Sequence, residues 1–192
     1  MTISGERLDD VVAEAVGGNR DALRRVLETI RPIVIRYVRA RVGSTERSGL
    51  SADDVAQEVC LAAITALPRY KDQGRPFLAF VYGIAAHKVA DAHRAAGRNR
   101  SDPTEVVPER FSLDAGPEQM ALDSEASARM KKLLAILPEK QREILILRVV
   151  VGMSAEETAE AVGSTAGAVR VAQHRALARL KEEIISTGHD HA

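Results

Sequence analysis

Apolar side chains recur at helical spacing over residues 21–42, where Leu23, Val26, Leu27, Ile30, Val34, Tyr37 and Val38 form one stripe among arginines. The spacing predicts a packed helix, bent near Pro32. A second helix opens at Ser51-Ala52-Asp53-Asp54, a capping hydroxyl followed by carboxylates that suit a helix N-terminus, and runs through Val55, Val59 and Ala62 to Pro68. After a polar loop at 70–75, Pro76 stands at the first position of a third helix carrying Phe77, Val81, Ile84, Ala85, Val89 and Ala92, with Gly97 as its stop. Periodicity then fails from 97 to 118, a stretch that holds Pro103, Pro108 and Pro117 and reads as a linker. The stripe returns at Leu122, Ala126, Met130, Leu133, Leu134 and Leu137. Pro138 breaks it and starts another helix through Ile144, Leu145 and Val150 to Gly152. Ser154-Ala155-Glu156-Glu157 is a capping box for a short helix ending at Gly163, and a last helix begins near Thr165. No segment reads as a strand. The expected fold is all-α: a helical module over 1–96, a flexible linker over 97–118, a second module over 119–187 and a tail over 188–192.

With 45% hydrophobic residues in 192, the chain can build compact cores. A single cysteine, Cys60, excludes a disulfide framework and a thiolate zinc site, and its apolar surroundings suit a buried structural thiol. The first residues hold no apolar signal core and no 18-residue apolar run occurs, so the expected location is the cytoplasm, without membrane insertion. Catalytic constellations are missing. Gly163-Ser164-Thr165-Ala166-Gly167 only superficially resembles a nucleophile elbow, since threonine holds the nucleophile position and no strand precedes it. His87 and Asp91, four apart, lack a third metal ligand, and His189 and His191 lie in the polar tail. Neither catalysis, nor a metal, nor a cofactor is expected.

The 27 cationic and 27 acidic residues cancel overall, so local charge segregation carries the information. From Ser154 to Gly163 there are three glutamates and no cation. From Ser164 to Lys181 there are Arg170, Arg175, Arg179 and Lys181 and no acid. Two short helices with a Gly-containing turn, the second cationic, match the helix-turn-helix arrangement whose second helix enters the DNA major groove. An amphipathic hairpin with a solvated cationic face has the same pattern. A second basic stretch, Lys88, Arg94, Arg98 and Arg100 with His87 and His93, closes the third helix. The tether of about 22 residues at ~3.3 Å each reaches on the order of 70 Å, or roughly twenty base pairs, so two separated DNA elements are within its span. Asp53, Asp54 and Glu58 form an acidic ridge that would repel DNA. It suits either a basic protein surface or simple alignment with the helix dipole.

The run Asp53-Asp54-Val55-Ala56-Gln57-Glu58-Val59 resembles region 2.2 of bacterial RNA polymerase sigma factors. Leu137-Pro138 through Arg142, Gly152 through Glu157, and Gly167-Ala168-Val169-Arg170 to Arg175-Ala176 resemble their region 4. With only these two regions, the chain is similar to the extracytoplasmic-function, or group 4, class. The resemblance implies that Asp53, Asp54, Gln57 and Glu58 meet the clamp helices of the polymerase largest subunit, and that the flap is a further contact. It implies that Lys71, Asp72, Gln73, Gly74 and Arg75 capture an extruded base of the minus-ten element, supported by His87, Asp91 and Arg94. Thr165, Arg170, Val171, His174 and Arg175 would then face the minus-thirty-five element. Phe80 and His87 stand where many members have tryptophan and asparagine, and Val171 replaces a small hydroxyl residue. Expected partners are core RNA polymerase, promoter DNA and an anti-sigma factor. The rival readings are a two-domain helix-turn-helix regulator that binds duplex DNA unaided, and a helical adaptor, which has no reason to keep an acid-free stretch from Ser164 to Lys181.

Overall fold

A computed structural model describes residues 5–42, 51–72, 74–99 and 128–189, all helical or connecting, with no strand among them. In the first module α1 (Gly5–Val16), α2 (Arg20–Val42), α3 (Ala52–Ala66) and α4 (Phe77–Asn99) pack together, with a 3₁₀ turn at Leu67–Arg69. In the second, helical residues 128–135 (α5) precede α6 (Glu139–Leu145), a π-helical turn (Ile146–Val151), α7 (Ala155–Val162) and α8 (Ala166–His189). The proline-marked stretch from 100 to 118 lies outside the described residues, as do Leu122 and Ala126.

The expected stripe of α2 is the buried one: Val26, Ile30, Val34, Tyr37 and Val38 all lie in the core. The helix runs through Pro32, as the stripe predicts. The proline sits on the exposed side, where water can take the carbonyl that its missing N–H leaves free. Ser51 accepts from the Asp53 N–H at 3.1 Å, and α3 closes at the Pro68 turn. Gly97 does not stop α4, which continues to Asn99. The capping box forms as expected: Ser154 Oγ accepts from the Glu157 N–H at 3.0 Å, and the Glu157 carboxylate accepts from the Ser154 N–H at 2.6 Å.

One helix escaped the sequence reading. In α1, Leu8, Val11 and Val12 are buried with the i, i+3, i+4 spacing that marks the other helices. It also supplies a cap across the fold, because Asp9 Oδ1 accepts from the Phe77 N–H at 3.0 Å, where Pro76 leaves no side-chain cap of its own. Burial raises the Asp9 pKa, and the Phe77 hydrogen bond only partly offsets that.

The two modules share one apolar core. Leu134, Leu137, Leu145, Ile146, Leu147, Val151 and Met153 of the second are continuous with Val34, Tyr37, Val81 and Ala85 of the first. The π turn widens the helix just before Gly152, whose φ of +88° suits a residue without Cβ. Arg142 fastens α5 to α6 by donating to the carbonyls of Leu134, Ala135 and Leu137 at 2.9, 3.2 and 3.0 Å. At the seam, Glu143 Oε1 accepts from the hydroxyls of Tyr37 (2.8 Å) and Tyr82 (2.9 Å), and Oε2 pairs with Arg41 Nε at 3.3 Å. The tyrosine rings meet edge to face at 5.4 Å. Burial, then the Glu143 charge, pushes both tyrosine pKa values far above the ordinary range, so both hydroxyls keep their protons and donate.

The cross-fold cap gives a direct expectation. Asp9→Ala should lower stability by about 0.5–2 kcal/mol, whereas Asp9→Asn, which keeps an acceptor oxygen, should cost less. Thermal unfolding followed by circular dichroism compares the two. Equal losses would mean that the carbonyl oxygen at position 9 is not what caps α4.

Candidate nucleic-acid and partner surfaces

On α3 the burial alternates at helical period: Val55, Ala56 and Val59 face the core while Asp53, Asp54, Gln57 and Glu58 face outward. The four expected residues therefore share one exposed surface. Their charges are not equivalent. Asp53 is held by Arg39 of α2 through contacts of 3.0–3.3 Å, and Glu58 pairs with Lys88 of α4 at 2.9 Å. Asp54 has no ion-pair partner among the described residues. Beside the ridge a groove of about 520 Å³ lies between α2 and α3, lined by Leu27, Arg31, Ile35, Gln57 and Cys60. Cys60 is half-buried rather than enclosed, and burial raises its thiol pKa.

In the 71–75 loop Gly74 takes φ +73° and its N–H donates to Asp72 Oδ1 at 2.8 Å, closing a small turn. Tyr70 Oη donates to the Arg75 carbonyl at 3.2 Å, pinning the loop's far end. Gln73 lies outside the described residues. Arg75 reaches across to Glu160 of α7 at 3.6 Å. On α4, Asp91 is flanked by Arg94 and by His87 at 3.5 Å, so the three expected residues form one exposed cluster. The Arg94 hydrogen bond is the largest reason that the Asp91 carboxyl titrates below its ordinary range. No group of three metal-ligating side chains occurs among the described residues, and His87 and Asp91 stay a pair.

Sequence reasoning passed over the surface next to that loop. A groove of about 670 Å³ between α3 and α4 is lined by Leu61, Arg69, Tyr70, Phe80 and Lys88. Tyr70 and Phe80 rings lie 5.0 Å apart, and Phe77 lies 5.2 Å from Tyr70. Aromatic faces beside Arg69 and Lys88 are what an unpaired base and its phosphate need. The signal available in the sequence was the recurrence of Tyr70, Phe77 and Phe80 in a chain with only 3% aromatics.

In the second module Ile144, Ala155, Ala159 and Val169 lock α7 against α8. Thr165 Oγ1 accepts from the Ala168 N–H at 3.2 Å and so caps α8. Burying Val169 turns Arg170, Val171, His174 and Arg175 outward to solvent. Arg170 donates to Glu156 Oε1 at 2.6 Å, and Arg148 Nε donates to Gln173 Oε1 of α8 at 2.9 Å.

Residues 26–99 match Sigma-70 region 2, and residues 127–180 match Sigma-70, region 4. The chain is 78% identical over 188 residues to the ECF RNA polymerase sigma factor SigD of Mycobacterium tuberculosis, covering 98% of this chain and 89% of that protein. It is 51% identical to the ECF RNA polymerase sigma factor ShbA of Streptomyces griseus, over 89% of this chain and 92% of that one. A solved structure of CnrH in complex with the cytosolic domain of CnrY is similar with a TM-score of 0.65 and 26% identity, over 92% of this chain and 96% of CnrH.

For Asp91, a folded-state pKa below the ordinary value means that its contribution is present at neutral pH and is lost as pH falls through that depressed value. Carbon-detected NMR titration should place the Asp91 carboxyl below the ordinary aspartate range, and Arg94→Ala should move it back up. An Asp91 titration indifferent to Arg94→Ala would contradict the pairing.

Proposed function

The chain belongs to the ECF family of RNA polymerase sigma factors, and on that footing we propose that it binds core polymerase in the cytoplasm, directs it to two promoter boxes and assists strand opening. It is an initiation factor and not an enzyme. The rival readings, an unaided DNA-binding regulator and an adaptor, fall with this assignment. The observation that carries the site assignment is the division of charge between modules: an exposed acidic face on α3 and an exposed stretch of α8, up to Lys181, without an acid.

Asp54, Gln57 and Glu58 are the polymerase-facing side chains, with Asp54 the main charge because Asp53 and Glu58 already have cationic neighbours. A basic partner surface must displace Arg39 and Lys88 or align with them, and either route favours Asp54 as the point of first attraction. The Lys71–Arg75 loop and the Tyr70/Phe80 groove together receive an unpaired base of the downstream box. Pulling a base from the stack costs a few kcal/mol, which stacking and phosphate contacts in the groove offset only when the strand is open. The α8 face bearing Arg170, His174 and Arg175 enters the major groove of the upstream box, with Thr165 at the helix start near the phosphates. No described helix is long and apolar enough to cross a membrane. Control by an anti-sigma protein is supported by the similarity to CnrH, which was solved with a cytosolic partner domain.

Asp54→Lys with Glu58→Lys should abolish most capture of core polymerase in a pull-down while the circular dichroism spectrum stays helical. Undiminished capture by the folded variant would move the polymerase contact off α3. Arg170→Ala should cost roughly 1–3 kcal/mol of upstream-box recognition and relax base preference at one position if the guanidinium forks onto a base, and less without a change of preference if it meets only phosphate. Footprinting by the polymerase complex on single-base promoter variants reads both quantities. Unchanged affinity on every variant would show that the recognition face lies elsewhere.

A further inference from the structure

The first helix of the chain is tied to the downstream-box loop at both of the loop's ends. Residues 26–99 carry the match to region 2, and α1 (Gly5–Val16) lies ahead of them. Leu8, Val11 and Val12 bury one side of α1, which packs on α2, on the Leu67–Arg69 turn and on α4. That turn leads into the loop at 70–75 and α4 leads out of it, so a single helix touches both anchors. At the exit, Asp9 Oδ1 accepts from the Phe77 N–H at 3.0 Å.

The start of α4 depends on that contact. Pro76 has neither an N–H nor a capping oxygen in its side chain, and the Phe77 and Leu78 N–H groups precede any helical acceptor. The Ala79 N–H reaches back to the Pro76 carbonyl at 2.9 Å, and Asp9 satisfies the buried Phe77. The Phe77 ring lies 5.2 Å from Tyr70 and 5.7 Å from Phe80, the two rings that line the groove beside the loop. Tyr70 in turn holds the Arg75 carbonyl at 3.2 Å. Burial raises the Asp9 pKa, the Phe77 N–H lowers it, and the charge of Asp72 raises it again, which puts the loop's own carboxylate beside α1. Phe77 is thus the joint between cap, groove and loop. Fraying of the first turn of α4 would shift all three together.

We propose that Asp9 is a positioning residue for base capture: from ahead of the matched region it fixes the first turn of α4, and through Phe77 it sets the Tyr70/Phe80 groove and the Lys71–Arg75 loop. The tie belongs to the fold, and its use in base capture rests on the sigma-factor reading. Asp9 touches no base. Its effect is confined to the downstream box, because the α3 face and α8 are held by other contacts.

The full-length chain with purified core polymerase, on a promoter that the parent opens, provides the test. Asp9→Ala should capture core enzyme as the parent does. Templates carrying each base in turn at each downstream-box position are scored for opening by permanganate at thymines of the start region. Discrimination at the captured position should fall roughly fivefold, the equilibrium shift of one lost helix cap, with the other positions unmoved. Asp9→Asn, which keeps an acceptor oxygen, should restore it. Asp9→Glu keeps the charge and moves the acceptor by one methylene, and should reproduce the loss even if the alanine variant unfolds. In the free chain, amide hydrogen exchange should quicken at Gly74 and Phe77 of Asp9→Ala and stay unchanged in α2 and α3. Parental exchange and discrimination in Asp9→Ala would overturn the proposal, as would a loss spread over every position or one that asparagine leaves in place. A parent that opens no promoter with core polymerase would instead sink the sigma-factor reading, and the exchange rates alone would then decide whether Asp9 orders the loop.

Discussion

A buried carboxylate needs partners, and among the described residues Glu143 finds its partners outside its own module. Taking an ionised carboxyl out of water costs several kcal/mol unless donors replace the lost hydration. Here two tyrosine hydroxyls donate, at 2.8 and 2.9 Å, and the Arg41 guanidinium adds an ion pair at 3.3 Å. Because the donors are fixed on α2 and α4, the position of α6 follows, and with it the π turn, α7 and the recognition helix. The apolar surface of Leu147, Val151 and Met153 adds most of the attraction, but it is non-directional. The carboxylate, its two hydroxyl donors and its ion-pair partner select one register for that packing.

The same arrangement organises the functional surfaces. The acidic face of α3 stays open to solvent, with Asp53 and Glu58 tempered by Arg39 and Lys88. The cationic face of α8 is exposed, yet its leading arginine already meets a carboxylate of α7. Function in such a chain is a matter of which partner each charge meets, and a polymerase or promoter must offer more than the contacts it replaces.

Local signals in the sequence reached far but stopped at a definite point. The stripes of α2, α3 and α4, the Ser51 cap and the Ser154 capping box depend on residues within one or two turns, and they form as the spacing predicts. The outward faces of Asp54, Gln57 and Glu58 and of Arg170, His174 and Arg175 follow from the same periodicity. Glu143 was invisible for the opposite reason. It sits in Glu139-Lys140-Gln141-Arg142-Glu143, the charged opening of the helix expected from Pro138, where nothing marks one carboxylate for burial, and its hydroxyl partners lie 106 and 61 residues away. Arg75 and Glu160, 85 positions apart by number, are hidden in the same manner. Pro32 did not hide α2, since a proline on the wet side of a long helix leaves a carbonyl that water satisfies and the helix runs through it, as the stripe predicts. In α1 the apolar spacing was present, and its tertiary role in capping α4 was not.

A chain whose two modules carry separate promoter surfaces gives core polymerase a promoter preference it lacks alone. Transcription from a randomised promoter library by purified core polymerase, with and without the chain, tests that most directly. Selected templates should carry two enriched motifs at a fixed spacing that core enzyme alone does not enrich. Identical template selection with and without the chain would contradict the account.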